Sequence, residues 1–346
     1  MKVSRNPKTI KQFQRGSWSF HRSVVCIQTA LMSLLLVMLA IPSLGFSQMK
    51  APACPPPPIP PTVEEVQSLV KAAKDHGFLW RYEKDGKTGY LYGSIHMARR
   101  EWMVPGPKTL AALQSSEVIA LELDVLDPLI QAQLADPSQF GIRNVTLPPP
   151  LKRRMEVVAK RVCAPVDAFD RMHPLMQLLT VTMLEARFFN LEAGYGSEMF
   201  LAGFARGAKR PLESLETPEL QLRALLDVTT QDVLETVEEG LMLFETGKQH
   251  VLTERLVSVW ATRNLGELQR YMEWCECIRT ETDRKYMKGL LDDRNSRMAA
   301  GIDRLSRTGR KPFVAVGALH MVGPNSLLTL LGKMGYKIER VMFNNL

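Results

Sequence analysis

No aspartate or glutamate occurs in the first fifty residues of this 346-residue chain, although seven of its 44 lysines and arginines lie there (Lys2, Arg5, Lys8, Lys11, Arg15, Arg22 and Lys50). The remainder is nearly balanced, 37 basic against 36 acidic residues, so the formal net charge of +8 belongs to the leader. A general phosphate-binding surface has no support, which excludes nucleic acid as a partner. Three catalytic signatures are also missing: there is no Gly-x-Ser-x-Gly elbow, no His-Glu-x-x-His helix and no Walker loop. Histidine is scarce, with six in all, and cysteine is limited to five.

The basic leader runs into an apolar stretch from Val24 to Phe46, with Gly45 and Ser47 as small residues two apart at its end. Residues 1–47 therefore read as a secretory signal peptide cleaved near Ser47, or as an uncleaved N-terminal anchor. Either way the body is exported, to the periplasm or cell envelope, and touches the membrane only through this segment if it is uncleaved. Cys26 lies in the leader, leaving Cys54, Cys163, Cys275 and Cys277 as disulfide candidates in an oxidising compartment. The spacing of Cys275 and Cys277 is closer than Cys-x-x-Cys and points to bridges outward to Cys54 and Cys163. The sequence leaves the pairing open, and with it the option that some thiols stay free.

Residues 48–61 form a proline-rich linker, stiff and extended. Folding is expected to begin at Thr62, which with Glu65 makes a capping-box pattern. Strands are predicted at Leu79–Glu83 and Tyr90–Ser94, joined by a hairpin at Asp85-Gly86-Lys87. A helix over Pro107–Gln114 leads to the continuous apolar run Val118–Leu123, typical of a strand covered on both faces. Residues of about 150–307 read as mainly helical, interrupted by a short strand at Pro211–Leu215. The chain then closes with a strand at Pro312–Val316, a helix near Asn325–Met334 and a strand at Tyr336–Phe343, a parallel crossover. The expected fold for residues 62–346 is α/β: a central mixed, largely parallel sheet with a large helical insertion.

Two segments read almost alike, Gly93-Ser94-Ile95-His96-Met97 and Gly317-Ala318-Leu319-His320-Met321. Each places a histidine just beyond a predicted strand, at the sheet edge where ligands gather. The glycines, Gly93 and Gly317, allow a sharp bend or a close approach. Glu122 stands in an apolar run, where an ionised carboxylate is costly unless a cation, metal or donor set faces it. Glu216 ends another short strand. Two imidazoles and two carboxylates at strand ends suffice as ligands for a divalent metal. Arg294 lies in the charged helical run Asp292-Asp293-Arg294-Asn295, which from spacing alone reads first as a solvated face; as a site element it would neutralise an oxyanion or hold a buried carboxylate. His173 reads as a helix N-terminal residue, while His76 and His250 read as surface residues.

Together the segments Gly77–Trp80, Leu91–His96, Ala120–Asp124, Leu215–Thr217, Asp293–Asn295 and Val316–Pro324 resemble the TraB/GumN family, which includes the Tiki proteases of animals. The resemblance covers nearly all of the body from Gly77 onward. It implies a fold akin to erythromycin esterase and ChaN-like proteins, with both Gly-x-x-His motifs and a glutamate in one cleft. It also implies metal or catalytic roles for His96, Glu122 and His320, with Mn, Co or Zn as the divalent cofactor and a peptide or other small molecule as substrate. The leading expectation is a metal-dependent, protease-like hydrolase in which His96, Glu122 and His320 hold the ion, Glu216 takes a proton and Arg294 stabilises the oxyanion. Two alternatives stand beside it. One is a metal-free esterase-like hydrolase with His96 as general base, the other a non-catalytic envelope binding protein for peptide or polysaccharide.

Overall fold

A computed structural model describes residues 53–59, 61–165, 169 and 171–343. The expected signal peptide or anchor, with Cys26, lies outside the described residues. One compact unit runs from Cys54 to Leu346. Its first helix, Val63–Ala72, carries the expected capping box between Thr62 and Glu65.

Six strands form one sheet: β1 (Phe78–Lys84), β2 (Lys87–Ser94), β3 (Val118–Leu121), β4 (Leu212–Ser214), β5 (Pro312–Gly317) and β6 (Lys337–Arg340). Their order across the sheet is β4-β3-β5-β2-β1-β6. β1 and β2 form a hairpin whose turn residues Asp85 and Gly86 both take positive φ, 52° and 72°. That is the Asp-Gly turn whose twist matches the twist of paired strands. β2, β5, β3 and β4 run parallel, and β1 alone is reversed. The α/β fold with a largely parallel sheet is therefore present, and the two ends of the chain meet where β5 lies between β2 and β3.

The last strand differs from expectation in one respect. β6 runs in the direction of β5 but does not pair with it, lying instead at the far edge against β1. Both slots beside β5 are already filled by β2 and β3, so the crossover has to reach across the hairpin.

Every residue of β3 is buried, as the apolar run requires. Helices Ser197–Gly207 and Asp292–Arg307 pack against the parallel strands and complete the main core. The helical middle has a second core of its own, built around Leu151, Met155, Val181, Val233, Val237 and Phe244. Among the described residues no helix is long and apolar enough to cross a membrane.

The disulfides correct the outward pairing expected from the sequence. Cys54 bonds Cys163, and Cys275 bonds Cys277. Cys163 ends the turn after helix Pro149–Arg161, with its Cα 5.9 Å from that of Cys54. Cys275 and Cys277 reach each other because Glu276 between them takes a left-handed φ of 53°. The proline-rich segment is also tied to the body by Arg187, which donates to the carbonyls of Pro55 (3.2 Å) and Pro56 (2.6 Å).

The two bridges differ in what they hold. Chain-entropy accounting gives about 4.7 kcal/mol for a loop as long as that closed by Cys54–Cys163, but only about 1.6 kcal/mol for one spanning a single residue. Changing both Cys54 and Cys163 to serine is expected to cost about 2–5 kcal/mol in urea unfolding. A loss equal to that from the Cys275/Cys277 double serine variant would contradict this difference.

Candidate functional site

Four of the candidate residues named from the sequence sit at the C-terminal ends of four parallel strands. His96 follows β2, Glu122 follows β3, Glu216 follows β4, and His320 lies in a short 3-10 turn, Ala318–Met321, after β5. The parallel ladder extends one step past β3 and β4, where the Glu216 N–H donates to the Glu122 carbonyl (3.0 Å). Two carboxylates are therefore held side by side. They are nearly enclosed, with side-chain exposures of 10 % for Glu122 and 1 % for Glu216.

Like charges so placed repel unless a cation joins them. Arg294, in the first turn of helix Asp292–Arg307, supplies it. Its Nε donates to Glu216 Oε1 (2.9 Å), and its Nη2 contacts both carboxylates. Gln221 adds a second bridge, donating to Glu122 Oε2 (3.2 Å) and Glu216 Oε2 (3.1 Å). The Gly317 N–H donates to Glu122 Oε1 at 2.7 Å. Burial alone would raise the Glu122 pKa, but His320, Arg294, His96 and the Gly317 N–H together hold it down at about 2. Arg294 is the constant cation among these, because burial lowers the His320 pKa to about 4 and leaves that ring neutral at neutral pH.

Each histidine has one ring nitrogen fixed by an oxygen acceptor. His320 Nδ1 meets Asn295 Oδ1 at 2.7 Å, while Asn295 Nδ2 donates to the Asn325 carbonyl (2.9 Å) and so fixes the amide's orientation. The proton therefore sits on Nδ1, leaving Nε2 as a lone-pair donor 3.8 Å from Glu122 Oε1. His96 Nδ1 faces Glu198 Oε1 at 3.1 Å, and Glu198 is itself held by the Ser94 hydroxyl at 2.6 Å. Glu198 pulls the His96 pKa upward, although solvent over a side chain that is 70 % exposed screens part of that pull.

Glycines set the spacing, though by close approach and not by left-handed backbone. A Cβ on Gly93 would lie 3.2 Å from Ala318 Cα, so the two histidine loops pack directly on each other. A Cβ on Gly196 would lie 2.3 Å from the His96 carbonyl oxygen, which presses the start of helix Ser197–Gly207 against the first loop. The point where a Cβ on Gly317 would stand is 3.4 Å from Glu122 Oε1, 3.7 Å from His320 Cδ2 and 3.8 Å from His96 Nε2. Gly317 thus leaves a small space on which all three residues border.

The donor chemistry of that space suits a divalent cation. Histidine ligands commonly give their second nitrogen to a carboxylate or amide oxygen, the arrangement made here by Glu198 and Asn295. Among the described residues, however, no three His, Cys, Asp or Glu side chains already stand close enough to hold an ion. Glu122, Glu216, Arg294 and His320 are brought into contact, and His96 borders them from the solvent side.

Sequence reasoning missed Glu198, Asn295 and Gln221. His173 caps helix Pro174–Ala186 as expected, accepting from the Leu175 N–H. The surface reading of His76 and His250 is corrected. His76 is half-buried beside Trp102 and Trp260, with Nδ1 2.9 Å from the Ala261 carbonyl, and His250 stacks on Phe189 at 3.7 Å.

The chain is similar to curated animal proteins. It is 23 % identical over 316 residues to "Metalloprotease TIKI1" of Danio rerio, covering 76 % of this chain and 63 % of that protein. It is 22 % identical over 320 residues to "Metalloprotease TIKI2" of Xenopus tropicalis (78 % and 61 %), and 23 % identical over 314 residues to "Metalloprotease TIKI1" of Homo sapiens (76 % and 62 %). The chain thus spans about three-fifths of the length of these relatives. No solved structure matches it closely enough to count as a relative. The TraB/PrgY/gumN family model matches residues 78–340, a stretch that begins with β1, ends with β6 and includes every residue of the strand-end cluster. The chain belongs to the TraB/PrgY/gumN family.

Proposed function

We propose that this chain is a metal-dependent hydrolase of the cell envelope that acts on peptide bonds. The observation that carries the reading is the pair of histidines whose Nδ1 atoms are held by Glu198 and Asn295, with Glu122 bordering the same space at Gly317 as both rings. The peptide substrate rests on relatives named metalloproteases. The envelope location rests on the basic, apolar leader and on cysteines bonded in pairs.

His96, His320 and Glu122 would hold the cation. Such an ion supplies Lewis acidity, which makes water a competent nucleophile near neutral pH. Burial keeps His320 neutral, as a ligand must be, and Asn295 keeps its Nε2 free. Arg294 has Nε and Nη2 on the carboxylates and Nη1 on the Leu290 carbonyl (3.1 Å), so each of its nitrogens already has an acceptor. We therefore assign Arg294 to holding Glu122 and Glu216 ionised, ahead of the oxyanion role. Glu216, with both oxygens on Arg294, acts first as its counter-ion. His96, the most exposed of the five, is the side from which substrate enters.

The purified protein should take up Mn or Co in stoichiometric amount and cleave members of a peptide library, with cleavage lost on chelation and restored by metal. Uptake absent from the parent protein would overturn the reading. Gly317→Ala gives a finer check. The added methyl meets only ordinary contact distances, so the protein should fold, yet it fills the space the three residues share. Turnover is expected to fall roughly 100-fold at unchanged melting temperature. Parent-level turnover in that variant would move the reaction elsewhere.

A second reading has one observation in its favour. His96 and Glu198 form an oriented imidazole–carboxylate pair facing solvent, suited to a general base without metal. Cleavage that survives exhaustive chelation would select it.

A further inference from the structure

Away from the strand-end cluster, the loop between helices Tyr271–Trp274 and Glu281–Leu290 contains the Cys275–Cys277 disulfide. The bridge spans one residue, so it contributes little to holding distant parts of the chain together. Its two sulfur-bearing residues are unequal: Cys275 is buried, at 5 % exposure, whereas Cys277 is partly exposed. The Cys277 N–H donates to Cys275 Sγ at 3.2 Å. Glu276 between them takes a left-handed φ of 53°, which a residue with a side chain rarely adopts. Its carboxylate is gripped by Lys248, 2.8 Å from each oxygen, and by Arg279. Two cations thus border the loop.

We propose that Cys275–Cys277 is a thiol–disulfide exchange site that accepts electrons from thiols of small molecules or proteins. The incoming thiolate attacks the accessible Cys277 Sγ, forming a mixed disulfide. The Cys275–Cys277 bond breaks, and its electron pair leaves on Cys275 Sγ, which later takes a proton from solvent. A second thiolate then attacks the incoming sulfur and releases Cys277 as thiolate. Two substrate thiols are thereby oxidised to one disulfide while the protein's disulfide is reduced to two thiols.

Two features favour this course. The leaving sulfur already accepts an N–H, which stabilises a thiolate. A better leaving thiolate accelerates exchange. Opening the bridge also frees Glu276 from its left-handed backbone. Cys54–Cys163 joins residues 109 apart in sequence and so contributes far more to holding the fold, which makes its opening costlier even though Cys54 is exposed and Cys163 itself takes a left-handed φ of 62°.

The test uses the exported chain with both disulfides formed, treated with reduced glutathione and followed by thiol alkylation and peptide mapping. Cys275–Cys277 should open on the order of 100-fold faster than Cys54–Cys163. In the Cys275→Ser variant, Cys277 should capture oxidised glutathione as a mixed disulfide at least roughly tenfold faster than Cys275 does in the Cys277→Ser variant. Equal opening rates for the two disulfides of the parent protein would overturn the proposal, and that comparison needs no variant to fold. Equal capture by the two single variants would overturn the assigned direction of attack. Neither readout depends on metal or on peptide cleavage.

Discussion

Replacing Arg294 with methionine is expected to destabilise the protein by about 3–5 kcal/mol at neutral pH, the usual consequence of leaving buried charge without its partner. Glu122 and Glu216 would remain adjacent, bridged only by the uncharged Gln221. The pH dependence should reverse as well. In the parent protein the Glu122 pKa lies below its ordinary value, so its contribution is present above about pH 4.5 and is lost as pH falls through about 2. Without Arg294 that pKa rises, because burial is then opposed only by the two histidines and the Gly317 N–H, and the nearby Glu216 charge goes unanswered. A group of that kind costs stability as pH rises through its folded-state value. The variant should therefore lie closest to the parent near pH 4 and furthest from it at pH 7, as read from urea midpoints. A midpoint at pH 7 equal to that of the parent would show that the carboxylate pair needs no guanidinium.

His96→Gln is expected to lower turnover by about 10³-fold, within the range for loss of a group that acts directly on the reacting atoms. Glutamine keeps a donor that can reach Glu198 but supplies no imidazole nitrogen. Because the His96 side chain is largely exposed, its loss should leave stability within about 1 kcal/mol of the parent. Metal uptake separates the two readings of the site. If His96 is a ligand, uptake weakens along with turnover, whereas if it is a base without metal only turnover falls. Unchanged turnover on a peptide that the parent cleaves would remove His96 from both.

Much of this arrangement was legible because it rests on short-range chemistry. Asp85-Gly86 specified its hairpin, the apolar run 118–123 specified a buried strand, and Glu122 in that run demanded a partner. Strand-end placement of His96 and His320 followed from the Gly-x-x-His segments. What escaped notice sat on helices. Asn295 falls in register with the buried Met298, Ala299 and Ile302, and Glu198 with Leu201, Ala202 and Ala205. A polar residue on the apolar stripe of a helix was the available signal in both cases. Gln221 offered none, being half-buried on a helix whose buried face is carried by Leu222 and Leu226. The pairing of Cys275 with Cys277 depends on a left-handed backbone at Glu276, which nothing in that residue type favours. The edge position of β6 depends on which slots other strands had filled, a matter of the whole sheet.

The position of β5 also governs when the site comes into being. Residues 312–317 form the strand that separates β2 from β3, and its register joins Ser94 to Gly317 across more than 200 residues of chain. Such distant pairings form slowly, because a long loop must close before any contact rewards it. Synthesis runs from the N-terminus, so a growing chain carries His96, Glu122 and Glu216 long before it has the strand that draws them together. The nascent chain therefore lacks the assembled cluster, and the two histidine loops come to pack on each other only when the central strand arrives.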